Sequence, residues 1–201
     1  GTDFTDSLLV GHSTTGTLNA AEDNTGVGIA ALDALTSGDK NTALGNNAAS
    51  QISSGSSNTC IGFSAGNTIT TSDNNTLIGK QAGNYAGIGT RNTALGMQAL
   101  YGVTSNAANY NTSIGAKTLL AITTGEYNVA LGYQSGDNIT SGSGNVVIGK
   151  ADVSSATADD QLSISDGEDG SVVWMTGDSS GNVIHAGTTH SAGGQLTTTG
   201  K

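Results

Sequence analysis

The chain has 201 residues, of which 31 are glycine, none is proline and only 11% are charged. Its 16 acidic and 6 basic residues give a net charge of −10, which argues against a nucleic-acid partner because phosphate binding needs clustered Lys and Arg. No apolar run approaches the roughly 18 residues of a membrane-spanning helix, so no membrane insertion is expected, and the single Cys60 excludes an intrachain disulfide framework.

One short phrase recurs along most of the chain. Residues 41–48 read NTALGNNA, and the phrase returns as NTCIGFSA, NTLIGKQA, NTALGMQA, NTSIGAKT and NVALGYQS. The glycines of the phrase are spaced by 17 residues, with one interval of 19, and are Gly11, Gly28, Gly45, Gly62, Gly79, Gly96, Gly115, Gly132 and Gly149. So regular a period indicates a repeat architecture and argues against the disorder that low hydrophobicity would otherwise suggest.

Each position of the repeat keeps one type of residue. A large aliphatic, such as Leu44, always precedes the glycine, and Asn stands four residues before it, except that Ser7 takes this place in the first repeat. The position two before the glycine is mostly small, as in Ala43 and Cys60. A second aliphatic column, exemplified by Leu35, follows seven residues after the glycine.

This pattern predicts an all-β chain, with residues 6–151 forming a parallel β-solenoid (β-roll) of about nine 17-residue coils. Each coil is expected to contain two short strands and two turns, and coils stacked at about 4.8 Å give a length of roughly 40 Å. Identical residues then lie above one another. The Asn column is expected to form a ladder of side-chain amides, and glycine to allow a bend that a Cβ would obstruct.

Alternation along the strand predicts how the chain assembles. Thr42 and Leu44 must point away from Ala43, because successive side chains lie on opposite sides of a strand. Large residues on one side and small ones on the other suggest two buried faces, one inside the coil and one against another chain. The prediction is an intertwined homotrimer, with Ala43, Cys60 and Ala94 near the subunit contacts.

Two segments depart from the period. The extra residues before Gly115 are expected to bulge outward around residues 105–110 and leave the ladder intact. After Lys150 the repeat stops, which predicts two domains: a β-solenoid repeat domain at residues 1–151 and a small β-rich C-terminal collar or connector at 152–201. In the second, SVVWMTG and NVIHAG read as strands joined by glycine turns, and Trp174 is expected to pack in a core between subunits.

No catalytic, cofactor-binding or metal-binding residue is predicted. DGEDG, residues 166–170, is a candidate calcium loop, but a solvated turn is favoured because the ligand spacing of known calcium loops is missing. His12, His185 and His190 match no zinc spacing; a trimer axis could bring copies of His185 or His190 together, but a surface role is favoured. Cys60 is expected to act as a small buried apolar group.

Exposed aromatic residues near the turns are the candidates for contact with a glycan. They are Phe63, Tyr85, Tyr101, Tyr110, Tyr127 and Tyr133. Lateral packing is an equal alternative for each, so no site is assigned. An ice-binding face is disfavoured, since the Thr column alternates with aliphatics that are expected to be buried.

The phrase N-T-A-[LI]-G-x-x-A, with an [ST]-[ST]-G turn between copies, resembles the repeats of bacteriophage tail-fibre and related virion-fibre proteins. It is also similar to the N-S-x-A-[IL]-G-x-x-[AS] repeats of trimeric autotransporter adhesin heads, which form left-handed parallel β-rolls in homotrimers. The resemblance covers about residues 6–151, and the longer repeat fits the fibre group better. Residues 161–187 resemble the β-rich collar of such fibres, which in many precedes a cleaved chaperone domain.

The resemblance implies a structural virion fibre protein, a phage tail fibre or capsid fibre that gives a rigid trimeric shaft for host attachment. Its partners would be copies of itself, other virion structural proteins and a host cell-surface glycan or receptor, and it would lie in the virion. A trimeric surface adhesin head on the bacterial cell surface is the alternative. A polysaccharide depolymerase is a distant third, since no spacing selects a pair of carboxylates.

Overall fold

A computed structural model describes residues 7–11, 21–84, 89–103, 108–185 and, by their backbone alone, 188–190. Within these ranges the chain has strands and turns and no helix. The strands are β1 (Leu8–Val10), β2 (Thr25–Val27), β3 (Thr42–Leu44), β4 (Thr59–Ile61), β5 (Thr76–Ile78), β6 (Thr93–Leu95), β7 (Thr112–Ile114), β8 (Val129–Leu131), β9 (Val146–Ile148), β10 (Leu162–Ser165), β11 (Val173–Gly177), β12 (Val183–His185) and β13 (Thr188–His190).

All these strands form one sheet in chain order. Neighbouring strands from β1 to β10 are parallel and in repeat register, so that Leu44 lies opposite Ile61. From β10 to β13 the pairing is antiparallel. The predicted all-β parallel solenoid with 17-residue spacing is therefore confirmed. The boundary predicted at residue 151 stays a prediction, and the sheet is continuous across it.

The prediction of two strands in each coil is wrong. Only the phrase with the Thr-x-aliphatic pattern is a strand, and the second apolar column lies in a turn segment. The reason is the backbone conformation, because Asn47 and Ala49 have φ angles of 55° and 50°, in the left-handed region that interrupts a strand. The segment still bonds to its neighbours, since the Ala49 N–H donates to Ala65 O at 2.9 Å and Asn47 N–H to Ile29 O at 2.9 Å.

The asparagine column forms a continuous buried ladder, as expected. Asn41 Oδ1 accepts from the backbone N–H of Asn58 and from its Nδ2, both at 3.0 Å. The second proton of Asn41 Nδ2 goes to Gly55 O at 2.8 Å. The amides of the ladder are thus satisfied in both directions, which matters because an unpaired amide in an apolar interior is costly.

At each end of the ladder, a residue other than asparagine takes the ladder position. Ser7 Oγ accepts from Asn24 N–H at 2.8 Å. At the other end, Gln161 donates its backbone N–H and its Nε2 to Asn145 Oδ1, and its own oxygen turns back to accept from Ser154 Oγ and Ser155 N–H. Gln161 is therefore the residue at which the stack of asparagine amides stops.

The repeat with two extra residues keeps its place in the stack. Asn111 N–H donates to Asn92 Oδ1 at 2.9 Å, and Thr93 lies opposite Thr112. The ladder is therefore intact, as predicted, while residues 105–107 of the predicted bulge lie outside the described residues. Val103, which stands seven residues after Gly96 and so belongs to the second aliphatic column by its spacing, is 48% exposed.

The interior of the solenoid is narrow. Leu35, Ile52 and their equivalents point inward from the turn segment, and the middle residue of each strand meets them from the sheet. A further inward position lies four residues after the repeat glycine and holds leucine, alanine or glycine in the described repeats. Gly66 occupies this position, and a Cβ there would lie 2.6 Å from Cys60 Sγ and 2.9 Å from a methyl of Leu77. Such close packing leaves no space for a large residue both at this position and on the adjacent strands.

The small column does not lie at a chain surface. Ala43, Cys60 and Ala94 are all essentially inaccessible within the single chain, so the prediction that they lie near subunit contacts is wrong. The large aliphatics before each glycine are the side chains that point outward, and Leu44 is 49% exposed. Alternation correctly predicted that Ala43 and Leu44 lie on opposite sides of the strand. It is Ala43 that points into the coil and Leu44 that points outward, which is the reverse of the prediction.

The glycine after each strand has the predicted role. Gly45 has a φ of +137°, and a Cβ at this position would lie 2.6 Å from the carbonyl oxygen of Gly62 in the next coil. Any other residue would therefore combine backbone strain with a clash against the neighbouring coil. Glycine at this position lets the coils turn a corner while remaining at sheet spacing.

Candidate binding surfaces

The outward side of β1 to β9 is an uncharged strip along the solenoid, which we call the aliphatic face. Each strand contributes two outward positions, the first mostly Thr and the second always Val, Leu or Ile, and none of these positions holds a charged residue. Val10, Leu95 and Leu131 are between 46% and 49% exposed. Contiguous exposed apolar surface of this length on a single chain marks an interaction site.

A second surface consists of the residues that directly precede the last five ladder positions, from Asn92 to Gln161, and we call it the tyrosine column. Its members are Arg91, Tyr110, Tyr127, Gly144 and Asp160. All have left-handed φ angles between 54° and 69°, so their side chains leave the turn in the same direction in successive coils. The rings of Tyr110 and Tyr127 stack with centroids 4.7 Å apart and planes at 9°.

Arg91 closes the lower end of the tyrosine column. Its guanidinium carbon lies 5.3 Å from the centroid of the Tyr110 ring, and its Nη1 donates to the Tyr110 hydroxyl at 2.9 Å. Both residues are exposed, Tyr110 by 39% and Tyr127 by 57%. Of the candidate aromatics, the structure therefore brings Tyr110 and Tyr127 together, whereas Phe63 and Tyr133 are exposed elsewhere and Tyr85 lies outside the described residues.

A shallow cavity of about 220 Å³ lies near the end of the repeats and is lined by Gln134, Asp137, Lys150, Asp152 and Asp169. Lys150 Nζ also lies 5.6 Å from the centroid of the Tyr133 ring. Burial raises the pKa of the Asp137 carboxyl, and the neighbouring Asp152, close enough to share a hydrogen bond, raises it further. The two carboxyl groups are closer together than the roughly 5–9.5 Å that separates the catalytic pair of a glycosidase.

The DGEDG segment is a hydrogen-bonded turn. Asp166 Oδ1 accepts from the backbone N–H groups of Glu168, Asp169 and Gly170, and Asp166 Oδ2 accepts from Val172 N–H at 2.7 Å. These bonds, those from Gly170 and Val172 foremost, hold the pKa of Asp166 below its usual range. The carboxylate is therefore engaged by the chain itself, in agreement with the solvated turn favoured from the sequence.

Of the cysteine and histidine candidates, the structure describes the side chains of Cys60 and His185. Cys60 is buried, as predicted, and burial raises the pKa of its thiol to about 12. His185 lies on β12, while His12 and the side chain of His190 are outside the described residues. Among the residues that the structure does describe, no group of three or more His, Cys, Asp and Glu side chains is placed to hold a metal ion, and no helix could span a membrane.

Trp174 belongs to an exposed apolar patch on the C-terminal strands. Its side chain is 52% exposed, and Val172, Val173 and Ile184 are exposed to a similar degree. The expectation that Trp174 packs in a core between subunits stays a prediction.

Searches against protein-family models, curated proteins and solved structures find no significant match to this chain.

Proposed function

We propose that this chain is a non-catalytic segment of a virion fibre, assembled as a parallel homotrimer whose aliphatic faces meet around a common axis. The aliphatic face carries this proposal. It runs along nine coils, has no charge and leaves side chains such as Leu44 and Leu131 about half exposed. Three is the copy number of the fibres and adhesin heads that the repeats resemble.

The energetics favour burial of this face against identical chains. Completing the burial of a half-exposed aliphatic is worth about 1 kcal/mol. Five of the nine aliphatics of the face are between 36% and 49% exposed, namely Val10, Leu44, Leu95, Leu131 and Ile148, so the face contributes on the order of 5 kcal/mol per chain. This is comparable to the roughly 4–15 kcal/mol that association costs. The face is only two side chains wide, about 7 Å, which suits convergence on an axis better than a broad pairwise interface.

The repeat columns also favour a mechanical role. They contain Asn, Thr, Gly, small and aliphatic residues, and none supplies a nucleophile with a base or a pair of acids at catalytic spacing. A stack of coils joined by parallel strands and an amide ladder is stiff along its axis. Such a shaft holds a tip at a fixed distance from its anchor and presents each surface site in several copies.

The same features serve the second candidate, the head of a bacterial trimeric surface adhesin, and the length of the repeat favours the fibre. An antibody raised against residues 21–150 and applied to a culture of the source distinguishes the fibre from the adhesin. Labelling of virus particles is expected, whereas labelling of the bacterial surface alone would favour the adhesin.

The non-catalytic role has its own test. Purified protein is incubated with surface polysaccharides of the host, and the products are sized. Unchanged polymer length is expected. Release of defined oligosaccharides, lost when Asp137 or Asp152 is replaced with Asn, would contradict the proposal and place a depolymerase site in the cavity beside Lys150.

A further inference from the structure

The tyrosine column has a gap one residue wide. Tyr127 stacks on Tyr110 below it, but the next position along the solenoid is Gly144, which has no side chain to cover the upper face of the Tyr127 ring. The column resumes one coil further with Asp160. A flat ring stacked on Tyr127 would therefore lie at the level of Gly144, one coil spacing of about 4.8 Å above the Tyr127 ring and beside the Asp160 carboxylate, which reaches down to this level.

The gap is held open by the backbone. The Gly144 N–H donates to Glu126 O at 2.9 Å and the Asp160 N–H to Ser143 O at 2.8 Å, so the turns on both sides are tied to the stack. The Tyr127 ring stacks from above on the ring of Tyr110, and the backbone N–H of Tyr127 donates to Asn109 O at 3.2 Å. An aromatic surface ordered in this way loses little conformational entropy when a ligand binds.

Polar groups surround the gap. Asp160 Oδ1 lies on the side of Gly144 where a Cβ would stand. Asp159 Oδ1 accepts from the N–H of Ser143, the residue before Gly144, at 2.8 Å, so this carboxylate is anchored next to the gap with acceptor capacity to spare. An aromatic face beside a few fixed polar acceptors is the usual composition of a small-ligand site.

We propose that the gap above Tyr127, between Tyr127 and Asp160, binds one pyranose ring of a neutral cell-surface glycan. The C–H face of the sugar would lie on the Tyr127 ring, whose π face is electron-rich, and its hydroxyl groups would donate to the carboxylates of Asp160 and Asp159. Those carboxylates, on a chain of net charge −10, repel sialic and uronic acids, so the site selects neutral sugars.

This inference rests on the proposed function in one respect, which is that a trimeric fibre presents three such sites. Weak single contacts then combine, and linkage can raise avidity by about 10²–10⁴ where the geometry allows simultaneous binding. The site itself is complete within one chain, so its binding can be tested separately from assembly.

The test uses the full chain on arrays of neutral hexose oligomers, with sialylated and uronate oligomers as the anionic comparison. Binding to neutral oligomers is expected, and Tyr127→Ala should weaken it about tenfold or more. Gly144→Tyr is the sharper variant, because Tyr110 and Tyr127 show that tyrosine adopts the backbone of this column. It should fill the gap and abolish binding while the fold is retained, since only the Asp160 carboxylate has to move.

Phe63→Ala is the matched control, since Phe63 is exposed to a similar degree at a different corner of the coil. It should bind like the parent. Absence of binding to any neutral oligomer, a preference for the anionic set, or unchanged binding by Gly144→Tyr would overturn the inference. So would a fall in assembly mass on Tyr127→Ala, because the rings would then be packing between chains. If the protein is a trimer that binds no sugar, this inference is wrong and the proposed assembly stands. If it is a monomer that binds sugar, the proposed assembly is wrong and this inference stands.

Discussion

Asn58 Oδ1 accepts two hydrogen bonds from Asn75, one from its backbone N–H at 3.0 Å and one from its Nδ2 at 3.1 Å, although the two residues are 17 positions apart. Asn75 in turn accepts two from Asn92 and donates to Gly89 O. One side chain thus satisfies polar groups in three successive turns of the chain, and all of them are buried.

Asn75→Ala should therefore be strongly destabilising. It leaves Gly89 O and the Asn92 N–H without their partners inside the protein, and each such group costs about 1–3 kcal/mol, so a loss of about 3 kcal/mol in the free energy of unfolding is expected. Chemical denaturation measures it. Asn46→Ala, at a partly exposed position outside the ladder, is the control and should change stability by less than about 0.5 kcal/mol. Equal effects would show that the ladder is not a major source of stability.

Cys60 should be unreactive in the folded protein. Its side chain is fully buried and its pKa is raised to about 12, so both access and the thiolate, which is the nucleophile, are lacking at pH 8. Ellman's reagent should label the thiol only after denaturant is added. Rapid labelling under native conditions would show that the interior opens readily at this coil.

Asp137 should make stability fall as the pH rises. Burial and the neighbouring Asp152 raise its pKa in the folded state, so the folded chain holds this proton at pH values where the unfolded chain has lost it. The ionised Asp137 carboxylate destabilises the folded state. This destabilisation is absent at pH values below the ordinary carboxyl pKa and complete above the raised pKa of the folded state. Asp137→Asn should therefore increase stability at pH 7, by about 1 kcal/mol or less for a partly exposed group, and leave it unchanged at pH 3. A loss of stability at pH 7 would contradict the interpretation.

The shaft should lengthen by whole coils. Duplication of residues 24–74 inserts three complete repeats in register, and the particle should grow by about 14 Å in small-angle X-ray scattering. Duplication of residues 24–66 ends inside a repeat and breaks the Asn register, so it should lower the melting temperature instead. Growth without loss of stability in both variants would argue against templated stacking.

The period, the asparagine ladder and the glycine corner could be predicted from the sequence because each depends on one residue type at one spacing. The orientation of Leu44 could not. Alternation fixes Ala43 and Leu44 on opposite sides of the strand but does not say which side is inside. That choice depends on the turn segment, where Leu35 and Ile52 point into a narrow interior that the middle residues of the strands complete.

The tyrosine column carried a signal that was available and missed. Arg91, Tyr110, Tyr127 and Gly144 all precede the ladder position of their coil, so the repeat alone places them above one another. Their stacking could have been predicted from register. The gap at Gly144 required the structure, because the ring planes and the position of the Asp160 carboxylate are not properties of the period.

The assembly is tested most directly by the mass of the purified protein in multi-angle light scattering, for the parent chain and for Leu95→Glu. The parent should have three times the mass of the 19.8 kDa chain. Leu95→Glu places a charge in the middle of the aliphatic face and should yield a folded monomer with an unchanged β-type circular dichroism spectrum. Lys80→Glu, exposed outside this face, should remain trimeric. A parent that is monomeric and fully folded, or a Leu95→Glu variant that keeps the mass of the trimer, would contradict assembly through the aliphatic face.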